Sequence, residues 1–262
     1  MDILKRNLAP LSEAAWKEID SRAQEVLKSN LSARRVLNVN GPKGWDFTVL
    51  SEGRLDDIVE GEVCTGTYKV KPLIEARINF TLDRWEMDNI IRGAKDIDLS
   101  SLEEAAKKLA LFEENAVYKG YPQGNIDGLE NESAHEKISL GNDSSSIMES
   151  ITQGLLTLQD NFVEGPFSLV VGREAWKRIN VESQGYPLIK RIENLLGGKI
   201  ILSNVVEGGL LLPFNNENLE FTIGQDFAIG YESSNDKEVR LFISESFTLR
   251  VLDKNIIITF TI

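Results

Sequence analysis

Apolar and polar residues alternate with different periods along the chain, and each change of period marks a change of predicted element. From residue 12 to residue 29, apolar residues recur at steps of three and four, which predicts an amphipathic helix. The same period from 101 to 119 predicts a longer helix. Ser100 and Glu103 fit a capping box at its start, and Gly120 stands where a left-handed C-cap belongs.

Three segments alternate apolar and polar residues at period two, which is typical of strands with one buried face. They are 74–82, 239–251 and 256–262. Between 166 and 213 shorter apolar runs flank two helical segments, and this strand–helix–helix–strand order predicts a small mixed α/β subdomain. Because the sequence ends inside a strand pattern, we expect its last residues to be held in a sheet.

Residues 49–71 show neither period clearly and contain few large apolar residues. Five acidic residues and a single arginine, Arg54, lie between Glu52 and Glu62. Two interpretations fit this pattern: a disordered loop, or an extended hairpin that packs on something other than its own domain. Loops of this length inside compact domains are usually functional or mobile.

The composition excludes several classes of protein. The 262 residues carry 29 Lys and Arg against 41 Asp and Glu, and the resulting net charge of −12 argues against broad electrostatic binding to nucleic acid or anionic lipid. Cys64 is the only cysteine, so an intrachain disulfide is excluded and a reducing cytoplasm is the expected compartment. No run approaches the ~18 apolar residues that a membrane span needs.

The residues that could carry chemistry form no recognisable active site. His135, the single histidine, lies in a polar segment without the Gly-x-Ser-x-Gly turn of a hydrolase. Cys64 and His135 are too few for a structural zinc site, so we predict neither a metal centre nor a catalytic residue. Trp85, with Arg77 on the preceding strand, is the candidate for stacking on a ligand, and a core or interface tryptophan is the alternative. The pattern therefore favours a protein that acts by assembly.

Six segments, in order along the chain, closely resemble the encapsulin shell proteins, whose older members were named linocin-like bacteriocins. They are MDILKRNLAPLSEAAWKEID, ARRVLNVNGPKGW, LIEARINFTLDRWEMDN, IDLSSLEEAAKKLALFEE, GQDFAIGYE and VRLFISESFTLRV. Their collinear order makes the resemblance specific, and it is weakest in 49–71 and 121–165. Encapsulins share the fold of tailed-phage major capsid proteins and assemble into closed icosahedral shells inside bacteria and archaea.

The resemblance implies an α+β fold of the tailed-phage major capsid protein type, with a peripheral domain, an axial domain and an extended loop. Residues 1–46 would form the N-terminal helix and the start of the peripheral domain, 74–122 its long helix, and 225–262 its C-terminal sheet. Residues 123–224 would form the axial domain. Residues 47–73 would be the extended loop that reaches onto a neighbouring subunit, where pairing across the boundary covers its strand edges.

Encapsulin shells capture cargo enzymes, often ferritin-like proteins or dye-decolourising peroxidases, through a short C-terminal tail on the cargo. In the family that tail lies on the inner wall between the N-terminal helix and the peripheral sheet. The residues that match this surface are Leu27, Arg34, Asn38, Ile229 and Tyr231. Such a groove offers apolar pockets to alternate tail residues and polar groups that fix the register. Core packing is the alternative for Leu27 and Ile229, and Asn38 stands where an acidic residue can occur in relatives.

The resemblance also implies a pore and a cofactor contact. The loop that rims the fivefold pore in the family matches Ser183, Gln184, Gly185 and Tyr186. Its two polar, uncharged residues would let small ions pass without strong selection, and a simple surface turn is the alternative. Some relatives bind a flavin near the tryptophan that matches Trp85, so flavin contact by Trp85 and Arg77 is a further expectation, although shells assemble without a cofactor.

We therefore predict a structural shell protein rather than an enzyme. Many copies would form an icosahedral particle in the cytoplasm, enclose a cargo enzyme and pass small molecules or metal ions through pores, in iron storage or oxidative-stress defence. A prophage major capsid protein that packages DNA would have the same fold, and the net charge of −12 disfavours it. A stand-alone hydrolase or bacteriocin that depends on His135 is the third hypothesis. Neither a membrane nor a nucleic acid is an expected partner.

Overall fold

The structure is a computed structural model that describes residues 2–181 and 185–262. Within those ranges the helices are α1 (Glu13–Asn30), α2 (Arg84–Ile91), α3 (Ser100–Tyr118), α4 (Leu129–Glu132), α5 (Ser144–Asp160), α6 (Arg173–Val181) and α7 (Leu188–Leu196). The strands are β1 (Asn38–Asn40), β2 (Val49–Val59), β3 (Thr65–Pro72), β4 (Ile74–Asp83), β5 (Ile138–Ser139), β6 (Phe167–Val171), β7 (Ile200–Leu202), β8 (Gly209–Pro213), β9 (Leu219–Ile223), β10 (Ala228–Ser234), β11 (Glu238–Val251) and β12 (Ile258–Thr261).

The first sheet is organised around β11, which is long enough to pair with three other strands. It runs antiparallel to β10 and β4 in its first half and antiparallel to β9 in its second half, and β1 adds to β9 in parallel. Helices α1 and α3 cover one face, and their apolar residues form one core with Ile229, Leu241 and Ile243. Because apolar residues recur at helical spacing in α1 and in α3, each helix buries one apolar stripe against the sheet.

The second sheet has the order β5-β12-β8-β6-β7, with α5, α6 and α7 packed around it. Strands β6 and β8 are buried along their whole length, which fits sequences that are apolar apart from Ser168. The larger core continues from this sheet to Phe221 and Phe247 of the first sheet, whose rings lie 5.5 Å apart. The two sheets therefore share buried contacts.

Two strands lie in a different sheet from the one that the predicted domains imply. The range 225–262 was assigned to one peripheral sheet, whereas β12 pairs with β8 and β5 of the second sheet. Conversely β9, inside the predicted axial range 123–224, pairs with β1 and β11 of the first sheet. The alternating pattern predicts a strand but does not specify its partner, and the turn at Asp253, whose carboxylate accepts the N–H of Asn255, redirects the chain between sheets.

The acidic segment forms a hairpin, which settles the choice between a disordered loop and an extended hairpin. Strands β2 and β3 pair with each other as a separate two-stranded sheet. The register shifts on either side of Leu55, near Gly53 and Asp57, which both have positive φ. Most residues of both strands are exposed in the single chain. These bulges explain why the sequence shows no clean period of two.

The long helix begins differently from the prediction. Leu99 occupies the N-cap position without a side-chain cap, so the capping box of Ser100 with Glu103 is wrong. The carboxylate of Asp98 instead accepts the N–H of Ser100 at 2.9 Å, and Glu103 pairs with Arg22 of α1. At the other end Gly120 has φ +97°, as a left-handed C-terminal residue requires.

We predict that Ile258→Ala destabilises the fold through the second sheet. Ile258 is fully buried in β12, beside Leu211 of β8, and its side chain faces Gly154 of α5. Removing that side chain leaves a cavity between the second sheet and α5, at a cost of about 3 kcal/mol in the free energy of unfolding. Urea unfolding followed by tryptophan fluorescence measures this change. Thr261→Ala, at an exposed position of the same strand, is the matched control, and equal stability of the two variants would contradict the assignment of β12 to this core.

Candidate binding groove and the buried charges beneath it

A groove of about 550 Å³ lies between the second half of α1 and the start of β10. Leu27, Arg34 and Ile229, three of the five residues predicted to contact a cargo tail, line it. The other lining residues are Arg6, Asp20, Ala23, Gln24, Lys28, Leu31, Arg35, Asp226, Phe227, Ala228 and Ile243. The structure thus brings the N-terminal helix and the first sheet together at one concave surface.

The wall formed by α1 follows from its sequence spacing. Ala23, Leu27 and Leu31 are four residues apart, so they lie on one face of the helix and point toward the sheet. Leu27 and Ile229 are largely buried in the single chain and belong to the core. They also line the groove, so core packing and groove lining, the two alternatives for these residues, do not exclude each other. Ala23 and Leu31 are not among the predicted contact residues, although their spacing from Leu27 indicates the same face.

The other two predicted contact residues lie outside the lining. Asn38 is on β1, where its side-chain amide donates to the Oδ1 of Asn215 at 3.2 Å. Tyr231 is further along β10, and its main-chain N–H donates to the carbonyl oxygen of Leu4 at 2.8 Å. The residues before α1 therefore lie beside β10 next to the groove, and Tyr231 helps to hold them there.

Arg34 joins four parts of the chain at the floor of the groove. Its Nε donates to Glu113 of α3 at 2.9 Å, and its Nη1 donates to Asp226, just before β10, at 2.6 Å. Its Nη2 lies 3.2 Å from the Oε2 of Glu245 on β11, and the guanidinium also stacks over the ring of Phe227. A planar guanidinium with five donors suits such a multiple contact.

The carboxylates around Arg34 outnumber the positive charge. Glu113 and Glu245 are both fully buried, and one oxygen of Glu245 has no hydrogen-bond partner among the described residues. Burial, and the adjacent Glu113, raise the pKa of Glu245 well above its usual value. A protonated Glu245 lowers the net charge that must be buried.

A third buried carboxylate, Glu114, holds the segment that follows α1. It accepts the main-chain N–H groups of Ser32 and Ala33, each at 2.8 Å, and the hydroxyl of Ser32. Burial raises the pKa of Glu114 to about 7 in spite of these hydrogen bonds. Glu114 therefore fixes the backbone that carries Arg34 into the groove.

The cluster of buried carboxylates has a signal in the sequence, although none of them is among the predicted site residues. Glu245 falls between Ile243 and Phe247 in the apolar parity of β11, and Glu113 lies four residues after Leu109 on the apolar side of α3. A carboxylate at a core position requires a partner. Arg34 and Arg35, the basic pair just after α1, are candidates for that partner in the sequence.

The two residues expected to contact a flavin have different partners. Arg77 lies over the ring of Phe242 at 3.9 Å, whereas Trp85 is 66% exposed with Arg92 at 5.2 Å from its ring. Trp85 is the second residue of α2, and about 20 Å of strand separates it from Arg77. The two side chains thus lie far apart along the strand, and flavin binding stays a prediction.

The predicted pore loop is described only in part. Ser183 and Gln184 lie outside the described residues, while Gly185 has φ +87° and Tyr186 is exposed before α7.

His135 is held by the C-terminal part of the chain, because its Nε2 donates to the carbonyl oxygen of Asn255 at 2.8 Å.

None of the helices in the described ranges has the length and apolar character that a bilayer crossing needs.

The sequence matches a known family model over residues 1–248, and that family is described as "Encapsulating protein for peroxidase" (Linocin_M18). The chain belongs to this encapsulin family. The type 1 encapsulin shell protein of Rhodospirillum rubrum is 36% identical over 262 residues, covering 96% of this chain and 94% of the relative. The type 1 encapsulin shell protein of Mycobacterium tuberculosis is 35% identical over 251 residues, covering 95% of each chain.

Solved structures show the same fold at low sequence identity. A virus-like particle protein from Pyrococcus furiosus has a TM-score of 0.70 at 17% identity, with 92% of this chain and 97% of that chain covered. The capsid protein of Myoviridae phage XM1 has a TM-score of 0.57 at 11% identity, with 88% and 91% covered. The predicted α+β capsid-like fold of this encapsulin-family chain is therefore confirmed.

We predict that Glu114 makes the stability of the fold depend on pH. Its pKa is about 7 in the folded chain and near 4.5 when unfolded, so the folded state binds the proton more tightly. The contribution of Glu114 to the free energy of unfolding is therefore fully present below about pH 4.5 and is lost as the pH rises to about 7, by about 3 kcal/mol.

The variant Glu114→Gln tests this dependence by denaturant unfolding at pH 5 and pH 8. A glutamine keeps one acceptor for the two N–H groups and points its amide at the hydroxyls of Ser32 and Ser203, so most contacts survive. The variant should lose less stability than the wild type between the two pH values. Exposed Glu149→Gln is the matched control, and identical pH profiles for wild type and Glu114→Gln would contradict the assignment.

Proposed function

We propose that this chain is the wall subunit of a closed icosahedral shell that encloses a cargo enzyme and is not itself catalytic. The observation that carries the proposal is the hairpin of β2 and β3, which leaves an apolar face exposed. Family membership supports the same role, because the relatives are named as shell proteins and the family as an encapsulating protein for peroxidase. A cytoplasmic particle is part of the proposal.

The exposed face of the hairpin follows from its register. Leu55 pairs with Tyr68, and Ser51 pairs with Val70, so Leu55, Tyr68 and Val70 lie on one side of the ribbon. These three side chains are 48%, 73% and 42% exposed in the single chain. A two-stranded ribbon is marginal in water unless its apolar face is covered. A neighbouring subunit would supply that cover and would also protect the strand edges.

The groove between α1 and β10 would hold the cargo. An extended segment fits a surface that combines apolar walls, such as Leu27 and Ile229, with polar groups at its floor and rim. The tail of a ferritin-like protein or a dye-decolourising peroxidase is the proposed occupant. Such docking leaves the shell chain to position the cargo enzyme, which performs the chemistry.

Small molecules and metal ions would pass through the wall at the loop between α6 and α7. Its residues from Ser183 to Tyr186 are uncharged, and the exposed Tyr186 and Gly185 are free of core packing. An uncharged rim would pass small molecules and metal ions without strong selection by charge. Iron storage or defence against oxidants would then depend on which cargo lies inside.

We predict that the purified chain forms hollow particles of megadalton mass and that the hairpin face is required for their formation. The double variant Leu55→Asp with Tyr68→Asp places two charges on the apolar face, where burial against a neighbour becomes unfavourable. Size-exclusion chromatography with light scattering and negative-stain electron microscopy should show particles for the wild type and small species for the variant.

The matched control for this experiment is Thr67→Asp with Thr65→Asp, which adds the same charge to the opposite face of the ribbon, on β3 alone. This control should still assemble. A wild-type chain that remains a monomer or dimer would refute the shell, and assembly of the Leu55→Asp, Tyr68→Asp variant would refute the role of the apolar face.

We predict that Gln24→Trp blocks cargo loading without preventing assembly. Gln24 lines the groove and is itself exposed, so an indole there fills the groove and leaves the core unchanged. The measurement is co-purification, in the particle fraction, of a fluorescent protein that carries the C-terminal tail of the enzyme encoded beside the shell gene. Loading should fall at least about tenfold, the change that 1.4 kcal/mol of binding energy produces.

Glu25→Trp is the control, because Glu25 lies on the same helix with an exposed side chain and does not line the groove. It should load cargo as the wild type does. Equal loading by both tryptophan variants would place the tail elsewhere on the wall.

A further inference from the structure

The hairpin of β2 and β3 leaves the first sheet at a base that is fixed on both sides. Before β2, the N–H of Gly44 donates to the carbonyl oxygen of Gly224 at 2.8 Å. After β3, the chain enters β4, which pairs with β11 from Ile74 onward. The N–H of Leu73 donates to the carbonyl oxygen of Thr48 at 2.9 Å and closes the base. The hairpin therefore starts from a defined point on the sheet.

Packing does not set the direction in which the hairpin extends from this base. A cleft of about 400 Å³ lies between the hairpin and the rest of the subunit. On the hairpin side it is lined by the charged residues Glu52, Arg54, Lys69 and Lys71, and on the other side by the end of β11. Most residues of β2 and β3 are exposed. The direction of the hairpin must therefore depend on polar contacts.

Arg250, near the end of β11, makes such a contact. Its Nη1 donates to the carbonyl oxygen of Ser51 on β2 at 3.1 Å. Within residues 2–181 and 185–262, this is the one hydrogen bond that joins 49–72 to the rest of the chain. Ser51 lies between the base and the bulge at Gly53, so Arg250 holds the stem of the hairpin.

Glu220 fixes the position of Arg250. The two residues are opposed in the ladder of β9 and β11, and both the Nε and the Nη2 of Arg250 donate to the Oε2 of Glu220, at 2.9 and 2.5 Å. The Oε1 of Glu220 accepts the side-chain amide of Asn40 on β1 at 3.1 Å. Both side chains of the ion pair are largely buried. The planar guanidinium thus uses two donors on Glu220 and keeps a third for Ser51, which the single ammonium of lysine cannot reproduce.

We propose that Arg250, held by Glu220, is a positioning residue that sets the angle at which the hairpin leaves the subunit before a neighbour covers it. This inference rests on the proposed docking of the hairpin face on a neighbouring subunit and adds the device that prepares it. A hairpin already held near its docking angle loses less conformational freedom on assembly. The contact fixes the direction of the stem, while the order of the strands still depends on the neighbour.

The first test is assembly of Arg250→Lys, which keeps the positive charge beside Glu220 but loses the contact to Ser51. The subunit concentration at which half of the chains form particles, measured by light scattering, should rise about tenfold, as expected for one lost charge-assisted hydrogen bond. Arg240→Lys is the matched control, because Arg240 lies on the same strand and pairs with Glu232 at 2.8 Å on an exposed surface. It should assemble as the wild type does.

The second test measures the angle itself. Spin labels are attached to Cys64, the exposed single cysteine between β2 and β3, and to Glu149→Cys on α5. Cys64 lies about 20 Å of strand beyond the stem, so it amplifies any change of angle. The Leu55→Asp, Tyr68→Asp background keeps the subunits apart, and dilution with unlabelled chain restricts the measurement to distances within one chain. The distance distribution should broaden in Arg250→Lys and not in Arg240→Lys, whereas a residue that only stabilises the sheet would leave it unchanged.

The outcomes separate this inference from the proposed function. Wild-type assembly and an unchanged distance distribution in Arg250→Lys would overturn the role of Arg250 and leave the hairpin face as a docking surface. A wild-type chain without particles would refute the shell, while the label distances would still test Arg250.

A loss of folding in Arg250→Lys, measured by urea unfolding against Arg240→Lys, would transfer the test to Glu220→Gln. That variant keeps Arg250 and removes the charge that holds it, so the distance distribution should again broaden. An unchanged distribution in Glu220→Gln would then overturn the proposal.

Discussion

A two-stranded ribbon with an exposed apolar face is the constraint on which the account depends. Strands β2 and β3 pair only with each other in the described ranges, and Leu55, Tyr68 and Val70 remain in contact with water. Such a ribbon cannot contribute enough buried surface to pay for its own ordering. In the proposed shell, a neighbouring subunit would cover this face at every position of the wall.

The second constraint is electrostatic and lies inside each subunit. Arg34 connects α3, β11 and the segment before β10, and Glu114 fixes the backbone next to it. Removing one partner of a buried charge cluster leaves an uncompensated charge, so these residues depend on one another. Because Arg34 also lines the groove, the same contacts that join the two layers of the peripheral part hold the shape of the proposed cargo site.

The elements with a strong local period were predicted from the sequence. The features that depend on contacts between distant parts of the chain were not. The long helix, the period-two strands and the C-terminal position of Gly120 were predicted from local pattern, and the hairpin was one of two alternatives. Sheet membership of β9 and β12 depends on pairing at long range, which a local pattern does not encode. The groove shows the same limit. Leu27, Arg34 and Ile229 came from the family resemblance. Glu113 and Glu245 stand out in the sequence as carboxylates at core positions, but only the fold shows that they share Arg34 as a partner.

The central claim is that a neighbouring subunit orders the hairpin. Hydrogen–deuterium exchange of the amides in 49–72, compared between intact particles and dissociated subunits, tests it most directly. The account predicts strong protection of these amides in the particle and rapid exchange in the dissociated subunit, while β6 and β8 stay protected in both. Equal exchange of the hairpin in the two states would contradict the account.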